Sequence, residues 1–136
     1  MIQQHEISLN GYQRGYHLIT SLIEKSLPDL PEKGLLNILV KHTSAGITIN
    51  ENADPSVRSD FKTFIDDLIP ENYPRFMHTL EGGDDMPAHL KASLIGQSLT
   101  IPITHGHLNL GTWQGIYFCE FRNHGGIRRL VLTVYS

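Results

Sequence analysis

Apolar and polar positions divide the chain into segments of two periods. Gln3–Leu9 predicts a first strand that ends at the turn Asn10-Gly11. Across Gly15–Leu27, the pairs Leu18, Leu22 and Ile19, Ile23 recur at helical spacing and predict an amphipathic helix stopped by Pro28, with Pro28–Lys33 a loop. Gly34–Val40 is nearly all apolar, the pattern of a central strand buried on both faces. Pro55–Ile69 places Val57, Phe61, Phe64, Ile65 and Leu68 on one stripe and reads as the clearest helix, ended by Pro70. Glu71–Glu81 shows little periodicity and reads as a loop, with His78 an exposed loop residue. Asp85 and Pro87 announce a short helix through about Ile95, with His89 in its first turn.

Towards the C-terminus, Ser98–Ile103 reads as a strand and His105-Gly106-His107 as a turn. Asn109–Phe121 reads as one long strand, with Trp113, Tyr117, Cys119 and Phe121 on one side and Leu110, Thr112, Gln114, Ile116 and Phe118 on the other. Arg122–Gly126 predicts a hairpin turn into a last strand, Ile127–Tyr135. Helices interspersed among strands joined by hairpins predict one α+β domain over residues 1–136, a compact unit of mostly antiparallel sheet with packed helices.

The most informative stretch is Lys41–Asp60. Read with period two from His42, it puts His42, Ser44, Gly46, Thr48 and Asn50 on one face and Thr43, Ala45, Ile47 and Ile49 on the other. Short donors and acceptors without long charged side chains suit a pocket wall. Whether Ser44-Ala45-Gly46 bends the chain or only kinks one strand stays open at this level. After Asn50-Glu51-Asn52-Ala53, Asp54 reads as an N-cap with Pro55 at the first helical position. The same residues also fit a plain polar strand-to-helix connection.

Composition narrows the classes. A net charge of −3 with no basic run argues against a nonspecific nucleic-acid binder, while leaving room for a local anion site. Cys119 is the sole cysteine, which excludes a disulfide framework and a cysteine zinc cluster and suits a buried packing residue. No apolar run approaches a membrane span and no signal pattern opens the chain, so a cytoplasmic location without membrane partners is expected.

Asp84, Asp85 and His89 make a carboxylate and imidazole set whose spacing matches no standard metal template. His105 and His107, two apart in a turn, could ligate zinc but such pairs are more often turn residues near a surface, and His124 has no assigned role. Gln114 is polar on an apolar face and needs a partner or a ligand. Arg128 and Arg129 could meet phosphate, although arginines after a turn are usually solvated. Ser44 shows no triad pattern.

Four stretches together carry a resemblance: His42-Thr43-Ser44-Ala45 through Asp54-Pro55; Asp84-Asp85-Met86-Pro87-Ala88-His89-Leu90-Lys91; Leu110-Gly111-Thr112-Trp113-Gln114-Gly115; and His124-Gly125-Gly126 before the paired arginines. In this order the chain resembles the YjbQ family, the secondary thiamine-phosphate synthase type. The resemblance implies a compact α+β homotrimer, which would cover the surplus apolar strand faces. It also implies a secondary transferase activity that joins hydroxymethylpyrimidine diphosphate to thiazole phosphate and releases pyrophosphate.

By position, His42, Ser44, Asn50, Glu51, Asp54, Asp85, His89, Trp113 and Gln114 match the family's motif residues; the chain departs from the pattern at His107 and Phe121. On this reading His42, Glu51 and His89 are catalytic, and Ser44, Asn50, Asp54, Trp113, Gln114 and Arg128 bind a small phosphorylated substrate. Asp85, Glu51, His42 and His89 would hold a divalent metal, magnesium first and zinc as the alternative. Two other functions fit the same residues: a metal-dependent hydrolase, and a non-catalytic trimer that binds a small anionic metabolite.

Overall fold

The computed structural model describes residues 1–27 and 29–136, so the helix-stopping role expected of Pro28 lies outside the described residues. Strands β1 (Ile2–Leu9), β3 (Lys33–Val40), β5 (Ser98–Thr104), β6 (His107–Leu108) and β8 (Arg128–Tyr135) form a five-stranded sheet in the order β1-β8-β3-β5-β6. Strands β2 (Gly15–Leu18), β4 (Ala45–Glu51) and β7 (Gln114–Glu120) form a second sheet in the order β2-β7-β4. Every pairing is antiparallel. Helices α1 (Thr20–Ser26), α2 (Pro55–Leu68) and α3 (Asp85–Ile95) complete the α+β domain.

The second sheet is the middle layer, and β7 shows why. Its Ile116 and Phe118 point into the core shared with Leu36, Ile38, Leu130 and Leu132 of the first sheet. Its alternate residues Tyr117 and Cys119 point the other way, against Ile65 of α2 and Ala88 and Ala92 of α3. A strand buried on both faces must be apolar at successive positions, as β7 is. The expected strand Asn109–Phe121 is correct only for this part: residues 109–113 are not strand, and Trp113 is 64% exposed.

Three further expectations change. The predicted helix Gly15–Leu27 divides into β2 and the seven-residue α1. Tyr16 and Leu18 also fit period two, and pairing of Tyr16 with Cys119 and Leu18 with Tyr117 outweighs the helical spacing of Leu18 and Leu22. Gly34–Val40 is central in its sheet, but only Leu36, Ile38 and Val40 are buried, whereas Leu35 and Leu39 remain over 40% exposed. On α2 only Ile65 of the apolar stripe is buried, and Phe64 and Leu68 face outward.

The turn expected at Arg122–Gly126 is not a hairpin, because β7 and β8 belong to different sheets. The same holds for β3 and β4, so residues 41–44 are a crossing between layers and not part of one alternating strand. The two crossings run side by side, with Lys41 N–H donating to Arg129 C=O and Ala45 paired with Glu120. Gly46 lets the chain enter the second sheet, since a Cβ there would stand 2.8 Å from the Gly96 carbonyl oxygen at the end of α3. The end of the domain where the chain twice changes sheet is also where the charged chemistry gathers.

Candidate metal centre

Helix α3 begins at Asp85, so Asp85 and His89 stand one turn apart on the same face and His89 opens the second turn rather than lying in the first. His89 Nε2 lies 3.0 Å from Asp85 Oδ2. His78, from the aperiodic loop before the helix, brings its Nε2 to 2.6 Å from the same oxygen. His78 is therefore not merely an exposed loop residue. The three ligand atoms lie within 4.8 Å of one another, with Asp85 2% exposed beneath the two more accessible imidazoles.

A shell of fixed groups holds this triad. Arg122 donates from Nη1 to Asp85 Oδ1 at 2.6 Å and from Nε to Asp84 Oδ2 at 2.9 Å. Asp84 also accepts the Asn123 N–H. Burial pushes the Asp85 carboxyl up, but His78, His89 and Arg122 together hold it below the usual carboxylate range. Asp84 behaves alike, with burial opposed by the Asn123 N–H and Arg122. The His89 ring is fixed at its other nitrogen, where Nδ1 stands 2.9 Å from the Thr43 carbonyl oxygen in the crossing 41–44.

The crossing itself is clamped from below. Arg128, expected to be solvated or to meet phosphate, is 5% exposed and donates to both oxygens of Glu120 and to Ser44 Oγ. Glu120 is fully buried, and Gly125 packs so closely on its carboxylate that a Cβ would overlap it. Gln97 donates to the His42 carbonyl. His42 Nε2 accepts the Arg129 N–H at 2.8 Å, so that nitrogen is engaged as an acceptor and the ring's proton sits on Nδ1. Partial burial and the charge of Arg128, with smaller effects of Arg129 and Lys41, hold the His42 imidazolium below its ordinary range.

The remaining residues of the motif lie elsewhere. Glu51 and Asn50 are at the far end of β4, roughly 20 Å along the strand from the triad end at 3.3 Å per residue. There Glu51 accepts the Asp54 N–H, Asp54 caps α2 through the Ser56 N–H, and the Tyr117 hydroxyl donates to the Glu51 carbonyl. Gln114 finds its partner in the Gly111 N–H, closing the turn beside exposed Trp113. Of the four residues expected around a metal, the chain brings Asp85 and His89 together, leaves His42 on the adjoining crossing with Nε2 occupied, and puts Glu51 at the opposite end. His105 pairs with Glu32 on the surface, and Phe121 is buried against Tyr16.

Sequence reasoning missed His78 and Glu120. Nothing periodic marks His78. Glu120 did carry a signal, as the one acid in the otherwise uncharged run Gly115–Phe121, and a buried acid requires a partner.

A two-sheet α+β domain bearing a two-histidine, one-carboxylate cluster at a helix start defines the class. Its family follows from comparison with known proteins. Residues 5–136 match the family described as UPF0047 protein YjbQ-like. The chain is 45% identical to the UPF0047 protein YjbQ of Escherichia coli O157:H7 over 136 residues, covering 98% of each. It is 51% identical over 105 residues to a UPF0047 protein of Methanocaldococcus jannaschii, covering 77% of this chain and 70% of that one.

Among solved structures, an uncharacterized conserved protein of the yjbq/upf0047 family from Clostridium acetobutylicum superposes with a TM-score of 0.82 at 40% identity, covering 97% of this chain and 99% of that one. A YjbQ-like protein of unknown function from Sulfolobus solfataricus shares the fold with a TM-score of 0.85 at 24% identity, covering 100% and 98%. The chain belongs to the UPF0047 YjbQ-like family. Among the described residues no helix is long and apolar enough to cross a membrane.

Proposed function

We propose that this chain is a divalent-metal-dependent enzyme acting on a small phosphorylated metabolite, with His78, Asp85 and His89 holding the ion. The observation that carries this reading is the His89 ring. Its Nδ1 faces the Thr43 carbonyl and its Nε2 faces Asp85 Oδ2, both acceptors. A neutral imidazole has one N–H and can satisfy only one of them. A cation held by His89 and Asp85 would resolve the conflict without charging the ring, and His78 would supply a third ligand. Two imidazoles and one carboxylate suit zinc or another transition ion better than magnesium, which favours an all-oxygen shell.

Bound there, such an ion supplies a Lewis acid for a phosphate oxygen or leaving diphosphate. The chain's own groups set the geometry: Thr43 fixes the His89 tautomer and Arg122 fixes the Asp85 carboxylate. Displacement of diphosphate requires charge neutralisation more than a side-chain nucleophile, so joining hydroxymethylpyrimidine diphosphate to thiazole phosphate falls within this chemistry. We take it as a secondary activity. The exposed Leu35, Leu39, Phe64 and Leu68 support assembly as the homotrimer the family resemblance implies. Asn50, Glu51, Asp54, Trp113 and Gln114 would then join the site from a neighbouring copy.

The test is metal analysis of protein purified without a histidine tag, combined with thiamine-phosphate formation from both precursors after chelation and after adding back zinc or magnesium. One ion per chain, lost together with turnover in His78→Ala and His89→Ala, is the expected result. Wild-type protein that binds no ion and turns over equally after chelation would overturn the proposal. Metal-dependent release of phosphate with only one precursor present would instead identify the hydrolase.

A further inference from the structure

A second concentration of charge surrounds Asp66 of α2 and shares no residue with the triad. Asp66 accepts from three cations: Arg14 Nη1 at 2.6 Å, Lys62 Nζ at 3.1 Å and Lys91 Nζ at 2.6 Å. Three positive groups on one carboxylate leave an excess of two positive charges, in a chain whose net charge is −3. Lys91 is 3% exposed, so its charge is weakly screened by water. Such an excess is unfavourable by itself and favours a bound anion.

A cavity lies where that anion would sit. It has a volume of about 680 Å³ and is lined by Arg14, Lys62, His124 and the glycine-containing turns at Gly11 and at Gly125-Gly126. The arginine and lysine that carry the excess are thus also the walls, and the glycines leave backbone approach unobstructed on both sides. The other charges near this wall are internally neutralised. Glu120 beneath Gly125 is paired with Arg128, and Asp84 beyond Asn123 is paired with Arg122. The Tyr16 hydroxyl, buried and without a partner among the described residues, is near enough to Asp66 for that charge to help raise its pKa, after burial itself and Cys119.

We infer that this cavity is an anion site that takes a dianionic phosphate, free or as the monoester of a small metabolite. The excess of two charges matches the dianion, and the Arg14 fork with the Lys62 ammonium supplies charge-assisted donors. The inference is independent of the metal reading, because none of its residues belongs to the triad.

The test uses chelator-treated, full-length protein, with inorganic phosphate titrated in one arm and methyl phosphate in the other, followed by amide nitrogen–proton spectra. Saturable shifts at Gly11, Gly125 and Gly126 are expected, weakened at least about tenfold in Lys62→Gln. They should be unchanged in His89→Ala and in Lys25→Gln on α1. The Lys62 side chain is 41% exposed and Asp66 keeps Arg14 and Lys91 without it, so Lys62→Gln is expected to fold, and His124→Ala gives a second variant, expected to weaken binding. Saturation by inorganic phosphate alone assigns the site to the free ion, and by the ester as well to a metabolite. Shifts that fail to saturate, that survive both Lys62→Gln and His124→Ala, or that vanish in His89→Ala would overturn the inference.

Discussion

His89 Nδ1 is 2.9 Å from the Thr43 carbonyl oxygen, which ties the second turn of α3 to the segment where the chain passes from one sheet to the other. The placement of the His89 ring on α3 therefore depends on how firmly residues 41–44 are held. Part of that firmness comes from Arg128, which is braced by Glu120 and touches the crossing at Ser44 but not the triad, and part from Gln97 and Arg129 at His42.

Removing Ser44 Oγ should loosen the crossing without unfolding the domain. Ser44→Ala is expected to weaken zinc binding by about 10-fold, the lower end for a group that orients a ligand from behind, with the melting temperature little changed. Zinc competition against a fluorescent chelator measures it. An unchanged affinity would show that the Thr43 carbonyl is held without the Ser44 hydroxyl, the Arg128 contact to the Ser44 carbonyl sufficing.

Breaking the buried pair should be far more damaging. Glu120→Ala leaves the Arg128 guanidinium buried with only Ser44 as partner and is expected to cost roughly 3–5 kcal/mol. Replacing both, Glu120→Leu with Arg128→Met, should recover most of that loss by denaturant unfolding. If Arg128→Met alone leaves stability unchanged and only raises the substrate KM, Arg128 contacts substrate after all.

The engaged Nε2 of His42 predicts a pH dependence. The folded state disfavours the imidazolium, so the unfolded chain binds the extra proton more readily. This stability contribution is fully present above the unfolded value of about 6.5 and is lost as the pH falls through the lower folded value. His42→Gln, whose side-chain oxygen can accept the same Arg129 N–H, should lose less stability between about pH 7 and pH 5 than the wild type. Identical acid profiles would contradict the assignment.

Phe118, fully buried between the sheets, tests the layered core. Phe118→Ala should cost about 3–5 kcal/mol by chemical denaturation. Phe64→Ala, at a site 67% exposed in one chain, should barely change the stability of an isolated chain and should shift oligomer mass if that face is covered by another copy.

Local chemistry alone determined a good deal of this protein. Asp54 before Pro55 specified a capped helix start, Asp85 and His89 four apart specified a carboxylate and an imidazole one helical turn apart, and the unbroken apolar run around Ile116–Cys119 specified a strand buried on both sides. These features depend on neighbours a few residues away, and backbone periodicity transmits them directly. The family was legible too, because its motifs are short and ordered.

Only the tertiary structure decided which residues meet. Alternation cannot say that a chain changes sheet at residues 41–44 and 121–127, since an apolar strand has the same pattern in either layer. Hence His78 joins Asp85 from a loop with no pattern, Arg128 finds Glu120 instead of solvent, and Glu51 stands a strand's length from the triad. Pairings of this kind are set by how two sheets and three helices pack, and charge satisfaction in the buried interior then selects the partners.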